Sequence, residues 1–428
     1  MHLSRRDFLK LAGKAGLALP FIAAPGCAPS MAGRFDTDTG LSLGTVAGDA
    51  TPDGAVIWLR AEPDDSVSVQ YGKESTLASF ASTTPMRCAR ERDYTASVPL
   101  NGLDPATVYY YRAVVAGKKP GPIARFVTAP APEDPATVKF CFGGDTREGY
   151  KPFTIMDAIR AKRPDFFIHL GDTIYADRGL IASELPEFWA KYRTNRDDAP
   201  SRRLFAETSV CVIWDDHEVR DNYQGDHPLA PIGQRAFLDY WPVRRDPAEP
   251  QRIYRSVRWG KAVEVFLLDT RQYRDRENGT MLGSRQKEWL LDALARSTAT
   301  FKVIATSVPF YGGGRDRWEG YPRERSDVMK WIKRNRIKGV LFISADLHYA
   351  VVARLPGHLG LREIVTGPLA AQMNVFAIGY GKDVEFYANK TFNYGMITID
   401  PKASPSRMAV EILDEANGSL YRTTIEAV

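Results

Sequence analysis

Hydrophobic and polar residues alternate along short runs in the first third of the chain. GAVIWLRAE, VSVQYGK, DYTASVPL and TVYYYRAVV follow this two-residue period, and the turn-rich segments TPDG, EPDD, NGLDP and GKKPG separate them. Such alternation between turns is typical of half-buried β-strands. The pattern predicts a small β-sandwich over residues 33–130, and a proline-rich linker near residues 129–137 follows it.

The pattern changes from residue 138 onward, where apolar runs alternate with helix-like segments. VKFCFGGD, DFFIHLGD, SVCVIWDD, FKVIATSVP and GVLFISADLH are the apolar runs, and segments such as FTIMDAIRAKRP and RQKEWLLDALARS lie among them. This alternation predicts an α/β body with a largely buried sheet. Further strand-like runs in the tail indicate a second sheet packed on the first.

Composition is that of an ordinary globular protein. The 428 residues are 44% hydrophobic and 25% charged, and the formal charge is +5. Four basic residues against one acid give the first thirty residues a charge of +3, which leaves +2 for the rest. Because no basic stripe with interleaved aromatic residues is present, nucleic acid is not expected as a specific partner.

The basic N-terminus has the form of an export signal. SRRDFLK, followed by a modest apolar stretch, is the pattern of a bacterial Tat signal. We therefore expect residues 1–32 to engage the Tat translocase, and the mature protein to be periplasmic or secreted. Lipid anchoring at Cys27 is the alternative, but Pro25 gives a poor lipobox.

The remaining cysteines do not suggest a disulfide framework. Cys88, Cys141 and Cys211 cannot all pair, and the chain contains no C-x-x-C. Cys141 and Cys211 fall inside apolar runs, where a thiol behaves as a small hydrophobic group. We expect the mature protein to be a monomer.

Several apolar runs of the second body end on acidic residues or histidines. The carboxyl ends of strands in α/β sheets face one crevice, so these side chains should converge. Gathered carboxylates repel one another, and a cation of charge two or three relieves that repulsion. One such aspartate alone is often only the N-cap of the next helix. The prediction therefore rests on the set, which is Asp145, Asp172, Asp216, His217, Asp346 and His348.

Tyr175 lies three residues after Asp172 in the run HLGDTIYAD, which ends on Asp177. A phenolate is a hard, charged oxygen donor that suits a trivalent ion such as Fe³⁺. The alternative is a ring packed over a loop, with its hydroxyl bonded to the backbone. The surrounding acids favour the metal-binding interpretation.

The motifs resemble those of a known superfamily. GGD at 143–145, GDTIYAD at 171–177, WDDHE at 214–218 and SADLH at 344–348 resemble the ordered motifs of calcineurin-like metallophosphoesterases. GDTIYAD is similar to the block in which a tyrosine of purple acid phosphatases binds iron. LNGLDPATVYYYRAVV resembles the corner of a fibronectin type III module.

One family within that superfamily fits the whole chain. WDDHEVRDN, LDTRQYR and an export signal with a fibronectin-like module before the catalytic body resemble the PhoD family of alkaline phosphatases and phosphodiesterases. The resemblance implies a four-layer αββα sandwich over residues 138–428. A small fibronectin type III-like β-sandwich would precede it.

The resemblance also implies two metal ions, and Fe³⁺ with Ca²⁺ is typical of the PhoD family. This chain departs from the family at Asp145, where a cysteine ligand is typical, and Cys141 lies four residues too early. Oxygen donors stand where relatives have nitrogen, which favours Ca²⁺ or Mg²⁺ over Zn²⁺ at the second position, with Mg²⁺, Mn²⁺ or Zn²⁺ as the alternatives to Ca²⁺ there. The role of Ser307 stays open. The implied ligands are Asp145, Asp172, Tyr175, Asp216, Asp346 and His348.

The expected reaction is hydrolysis by a hydroxide that bridges the two ions and attacks phosphorus in line. His217 is expected to protonate the departing oxygen or to donate a hydrogen bond to it. Arg147 is expected to contact the substrate phosphate, and a salt bridge to Glu148 or Asp177 is its alternative.

Other charged residues are expected to be structural. Arg271 and Arg274 of DTRQYR should pair with the acids near residues 215–221, and His169 should be a core or supporting residue. His227 and His358 lie in loop-like segments without a supporting pattern.

The sequence thus predicts an exported, metal-dependent phosphatase of the alkaline phosphatase D type that hydrolyses phosphate monoesters, diesters or both. A phospholipase D-type phosphodiesterase of the same family is the alternative enzyme. A degenerate binding module without chemistry is the alternative outside the enzymes.

Overall fold

The computed structural model describes residues 33–63, 66–312, 314–355, 360–375 and 383–427. The predicted export segment 1–32, with Cys27, and His358 lie outside the described residues. Within the described part of the chain, no helix has the length and apolar character required to cross a membrane.

The fold is built from many short strands and a few helices. The described strands are β1 (Leu41–Thr51), β2 (Gly54–Ala61), β3 (Ser66–Gly72), β4 (Ala81–Ser82), β5 (Met86–Arg87), β6 (Thr95–Asn101), β7 (Val108–Val115), β8 (Ala124–Val127), β9 (Val138–Gly143), β10 (Phe166–His169), β11 (Ser209–Val212), β12 (Arg255–Trp259), β13 (Val263–Leu267), β14 (Phe301–Ala305), β15 (Val340–Ser344), β16 (Ala350–Arg354), β17 (Arg362–Val365), β18 (Val384–Ala388), β19 (Asn393–Asp400), β20 (Arg407–Asp414) and β21 (Ser419–Glu426). The described α-helices are α1 (Ile155–Ala161), α2 (Leu185–Arg196), α3 (Ala199–Phe205), α4 (Ala230–Tyr240), α5 (Gly283–Arg296) and α6 (Pro322–Arg334). Short 3₁₀ helices lie at Arg90–Arg92, Glu148–Tyr150 and Trp318–Gly320.

Two large sheets pack face to face at the centre. In the described chain, one has nine strands in the order β21-β20-β19-β9-β10-β11-β1-β2-β6, and the other has seven in the order β12-β13-β14-β15-β17-β16-β18. Successive side chains of β10 point to opposite faces, so Phe166 and Ile168 lie between the sheets and Phe167 faces the helices. Phe166 stacks on Trp259 of the facing sheet, with ring centroids 4.5 Å apart.

Helices cover the outer face of each sheet. α1, α2 and α4 pack on the nine-stranded sheet through Ile159, Phe188 and Phe237. α5 and α6 pack on the seven-stranded sheet through Leu290 and Val328. The order helix, sheet, sheet, helix confirms the predicted four-layer αββα sandwich.

The N-terminal strands divide between two sheets. β3, β4, β5, β7 and β8 form a five-stranded sheet, whereas β1, β2 and β6 extend the nine-stranded sheet. β1 runs parallel to β11, with Gly48 opposite Val210. The predicted corner is present, because the backbone N–H of Asp104 donates to the Tyr109 hydroxyl oxygen at 3.0 Å. The N-terminal module therefore shares a sheet with the body that follows it.

The prediction that the C-terminal strands form a second sheet is wrong. β19, β20 and β21 do not form a second sheet but continue the first, because β19 pairs antiparallel with β9, with Met396 opposite Cys141. The second sheet is made from β12 to β18. The alternating pattern marks these segments as strands, but it does not specify which neighbour each strand joins.

Candidate functional site

Adjacent parallel strands bring the first acidic motifs together. β9, β10 and β11 are parallel neighbours, with Phe142 opposite Ile168 and Ile168 opposite Cys211. The backbone N–H of Asp145 donates to the carbonyl oxygen of Gly171 at 3.1 Å, which joins the loops after β9 and β10. The carboxyl ends of these strands therefore face one crevice, as the motif positions predict.

The predicted side chains converge there. Their carboxylate oxygens and imidazole nitrogens form three overlapping groups, and within each group the atoms lie within 4.8 Å of one another. Asp215 also belongs to the set, although sequence analysis did not single it out. The groups are Asp145 with Asp172 and His348, Asp172 with Asp216 and His217, and Asp215 with Asp216 and Asp346.

The backbone of four members is held in the left-handed region. φ is 69° at Asp145, 53° at Asp172, 68° at Asp346 and 59° at His348. Such a conformation costs roughly 1–3 kcal/mol per non-glycine residue and persists where the surrounding structure enforces it. Gly367 lies so close to Asp145 that a Cβ atom would overlap the carboxylate. The backbone is thus arranged for the placement of these side chains.

Asp145 and Asp172 are buried, and no arginine or lysine of the described residues forms an ion pair with them. Burial raises the pKa of Asp145 and Asp172 well above the usual range, and repulsion from neighbouring carboxylates adds to this. Asp145 Oδ2 and Asp216 Oδ1 are buried and have no hydrogen-bond partner among the described residues. Buried charged oxygens require a partner, and hard cations bind such oxygens. The donor set therefore fits bound metal ions.

Tyr175 and His348 meet beside Asp145. Tyr175 Oη lies 3.1 Å from His348 Nε2, which is 3.8 Å from Asp145 Oδ1. His348 Nδ1 contacts the backbone oxygen of Gln372 and so carries its proton, which leaves Nε2 as an acceptor. Burial, together with the charge of Asp172, raises the pKa of Tyr175 well above normal. The phenol would therefore ionise only beside a strong cation.

His217 is fixed by a second acid. Its Nδ1 donates to Asp177 Oδ1 at 2.8 Å, and its ring lies against Tyr175 with centroids 4.2 Å apart. Burial lowers the pKa of His217, but the Asp177 hydrogen bond and the charge of Asp216 outweigh it and raise the pKa to about 9. The imidazole is thus positioned and charged as a proton donor requires.

A cavity of about 430 Å³ lies over these groups. His217, Asp216 and three arginines, Arg147, Arg178 and Arg317, contribute to its wall. Guanidinium groups match the geometry and charge of a phosphate. The cavity therefore combines an acidic floor with a basic rim.

Arg147 lies at the cavity, where the sequence placed a substrate contact. Its guanidinium carbon is 5.8 Å from the centroid of the Tyr175 ring. The alternative salt bridge to Glu148 or Asp177 is absent from the ion pairs of the described residues, since Lys191 pairs with Glu148.

The arginines of DTRQYR are structural, as predicted. The buried Arg271 donates from Nε to Asp215 Oδ1 at 2.5 Å and also contacts Asp216 and Asp316. Arg274 binds Asp316 at 2.6 Å. Asp316 lies outside the segment 215–221 that the sequence indicated, so only part of the pairing was anticipated.

Two further contacts were not assigned from sequence. Ser307 Oγ donates to Asp215 Oδ1 at 2.8 Å, so it supports a member of the set. Arg317 Nε donates to Asp346 Oδ2 at 2.6 Å at the cavity wall. Arg317 follows a glycine-rich segment that begins at Tyr311. Such a segment indicates a loop, and it is the local sequence signal near Arg317.

Asn195 connects two of the motif loops from behind. Its Nδ2 donates to the backbone oxygens of Thr146 and Thr173, each at 2.8 Å. These residues directly follow Asp145 and Asp172. No local pattern in the helical sequence around Asn195 indicates this role.

His169 and Cys141 lie behind the site. The buried His169 contacts Thr146 Oγ1 through Nε2 at 3.2 Å, in agreement with a supporting role. Cys141 faces the helical layer, and burial raises the pKa of its thiol. Cys211 is likewise buried. These thiols are core groups, as predicted.

Comparison with known proteins agrees with this geometry. Residues 140–391 match the family model of the PhoD-like phosphatase, and residues 26–130 match that of the PhoD-like phosphatase N-terminal domain. Alkaline phosphatase D of Bacillus subtilis (strain 168) is 26% identical over 428 aligned positions, which cover 82% of this chain and 72% of that protein.

Solved structures show the same fold. A structure of PhoD matches with a TM-score of 0.80 at 21% identity, over 92% of this chain and 94% of that chain. The purple acid phosphatase from yellow lupin (Lupinus luteus) seeds matches with a TM-score of 0.68 at 14% identity, over 91% and 74%. From the matched family model and the converging acidic site, the chain belongs to the PhoD-like phosphatases and is a phosphoric ester hydrolase.

Proposed function

We propose that this hydrolase is an exported, metal-dependent enzyme that cleaves phosphate monoesters, diesters or both. The observation that carries the proposal is the buried acidic cluster, in which Asp145 Oδ2 and Asp216 Oδ1 accept no hydrogen bond from the described residues, beside a cavity with three arginines in its wall. The floor suits cations and the rim suits an anionic ester.

The residues at the site have different roles in the proposed hydrolysis. Bound metal ions would lower the pKa of water to supply a nucleophile near neutral pH and would neutralise phosphoryl charge. Arg147 is placed to orient the phosphate in the cavity. His217, held by Asp177, donates a proton to the departing oxygen. Asp172 and Asp216 each belong to two of the three ligand groups, and Asp172, which is shared with the group of Asp145 and His348, would serve both ions.

Substitutions at the site test this proposal. Asp172→Asn should lose activity on both p-nitrophenyl phosphate and bis-p-nitrophenyl phosphate, because it removes a negative charge that belongs to two of the ligand groups. His217→Ala should lose about 10²–10⁴ in rate while it keeps its metal content. His227→Ala, in a loop, is the control and should match the wild type. Near-normal turnover of the His217 variant would refute the acid role, and loss of metal would instead make His217 a ligand.

We propose Fe³⁺ and Ca²⁺ as the pair of ions. Tyr175 and His348 beside Asp145 and Asp172 form the donor set that suits Fe³⁺, and the all-oxygen set near Asp216 suits Ca²⁺. Metal analysis with a visible spectrum tests this. A phenolate–Fe³⁺ site should absorb in the visible, and Tyr175→Phe should abolish the band without loss of folding. A colourless, iron-containing wild type would contradict the assignment.

Apolar residues favour a second candidate, a diesterase for lipid substrates. Leu180 is 89% exposed and Ile181 60% exposed, shortly after Arg178 of the cavity wall. Val375, after Asn374 of the wall, is 48% exposed. Leu180→Ser with Ile181→Ser should reduce hydrolysis of short-chain phospholipid micelles but not of a soluble diester. Equal effects on both substrates would reject a lipid preference.

Export through the Tat route rests on SRRDFLK at residues 4–10. Arg5→Lys with Arg6→Lys should retain the protein in the cytoplasmic fraction, whereas the wild type should reach the periplasm or medium. Export of the double variant would exclude this route. We expect the mature protein to elute as a monomer on size exclusion.

A further inference from the structure

A small cavity lined by buried residues lies behind the candidate metal centre, separate from the larger cavity above it. Its volume is about 20 Å³, and its wall includes His169, Tyr192, Asn195, Arg196 and Trp241. A single water requires roughly 10–15 Å³. The space therefore admits one particle of about water size and excludes a polyatomic ion such as phosphate.

Arg196, the last residue of α2, is the unusual member of this wall. It is 4% exposed, and none of its Nε, Nη1 and Nη2 atoms has a hydrogen-bond partner among the described residues. Its guanidinium carbon lies 4.2 Å from the Trp58 ring, 4.8 Å from Trp241 and 5.3 Å from Phe205. Aromatic faces attract a cation but accept no conventional hydrogen bonds from several N–H groups at once.

The acidic side chains nearby are occupied elsewhere. Asp198, two residues on, accepts from Ser201 N at 2.9 Å and from Phe153 N at 3.1 Å. Asp197 pairs with Arg202. An arginine does not readily lose its proton, and a buried charge without a counter-charge is costly. No carboxylate of the described residues forms an ion pair with Arg196, so its charge has no direct counter-charge there.

We propose that this cavity binds a monovalent halide, chloride under ordinary conditions, as the counter-ion of Arg196. The N–H groups of Arg196, none of which has a hydrogen-bond partner among the described residues, are the donors available to it. The size of the cavity selects a monatomic anion, and the charge selects an anion over water.

Water is the competing occupant, because Asn195 Oδ1 is an unpartnered acceptor in the same wall. A water could accept from Arg196 and donate to Asn195, but it would leave the buried charge uncompensated. The two occupants differ in scattering and in their dependence on salt, so experiment separates them.

The first test is long-wavelength anomalous diffraction from wild-type crystals grown in sodium chloride. We expect an anomalous peak beside the Arg196 guanidinium, because chlorine scatters anomalously at such wavelengths and oxygen does not. A cavity that contains density without anomalous signal, or no density, would overturn the proposal. This measurement needs no variant and is independent of catalytic activity.

The second test is thermal unfolding in sodium chloride against sodium gluconate at equal ionic strength. The wild type should show a saturable, chloride-specific rise in Tm of about 2 °C, as expected for a ligand that binds only the folded state. Arg196→Met should lose the rise. Arg203→Met is the control, because Arg203 is a half-exposed residue of α3 paired with Asp157, and it should keep the rise. A rise that survives in Arg196→Met would refute the site.

Discussion

Asn195→Ala should weaken metal binding although Asn195 touches no predicted ligand side chain. Its amide donates to Thr146 O and Thr173 O at 2.8 Å each, and these carbonyls are one residue from Asp145 and Asp172. The amide therefore sets the separation of two loops whose aspartates belong to one ligand group. Without it, the loops keep the backbone bonds from Asp145 N to Gly171 O and from Thr146 N to Asp172 O but lose the two bonds that the amide makes.

The magnitude follows from the bonds removed. Each net hydrogen bond contributes about 1 kcal/mol, and a buried acceptor left without a partner adds to the loss. Two such bonds predict a decrease of about 2–3 kcal/mol in the free energy of unfolding. Substitutions of residues that support metal ligands typically weaken metal affinity by about 10–100-fold.

Two assays separate positioning from stability. Urea unfolding of the metal-free protein gives the loss of stability, and competition with a chelator gives metal affinity. Thr194→Ala is the matched control, because Thr194 Oγ1 bonds only within the same helix, to Ala190 O at 2.9 Å. If Asn195→Ala loses the expected stability yet binds metal as tightly as Thr194→Ala, the positioning argument is wrong.

Three further predictions test other parts of the fold. Arg271→Met should lower the free energy of unfolding by about 3–5 kcal/mol, because it leaves the buried Asp215 carboxylate without its charged partner. The half-exposed Arg276→Met should cost less than about 1 kcal/mol, and similar losses in urea would contradict this. Gly367→Ala should reduce bound metal about tenfold or more, since its Cβ would displace the Asp145 carboxylate; unchanged metal content would exclude that steric conflict. Burial lowers the pKa of His169 from about 6.5 to about 3. The neutral imidazole therefore contributes stability above pH 6.5 that is lost as pH falls, by up to ~1.4 kcal/mol per unit. His169→Gln should flatten that slope between pH 6 and pH 4, and equal slopes would show that His169 does not titrate on unfolding.

The strand-tip residues could be predicted because their signal is local. A run such as FFIHLGD indicates both the end of a buried strand and the acidic residue that follows it. Once strands are parallel and adjacent, their carboxyl ends must meet, so Asp145, Asp172 and Asp216 converge without knowledge of the remaining fold. The four-layer arrangement followed from the resemblance rather than from these patterns.

Contacts that depend on distant pairing could not be predicted. Asn195 reaches Thr146 across 49 positions, and Arg271 reaches Asp215 across 56. A polar residue on a helix resembles any solvated position until its neighbour is known. The same limit explains the tail, because alternation identifies β19 as a strand but is equally compatible with either sheet.

The uneven distribution of positive charge supports two unlike ions rather than two equivalent ones. Arg271 contacts Asp215 and Asp216, and Arg317 contacts Asp346, so one ligand group is already partly neutralised. Among the described residues, no arginine or lysine forms an ion pair with Asp145 or Asp172, which also lie near the phenol of Tyr175. In the proposed pair, the more highly charged cation would lie on the uncompensated side, because strong positive charge offsets buried acids and permits a phenolate. The arginine-paired side needs less charge and suits a divalent ion bound through oxygen.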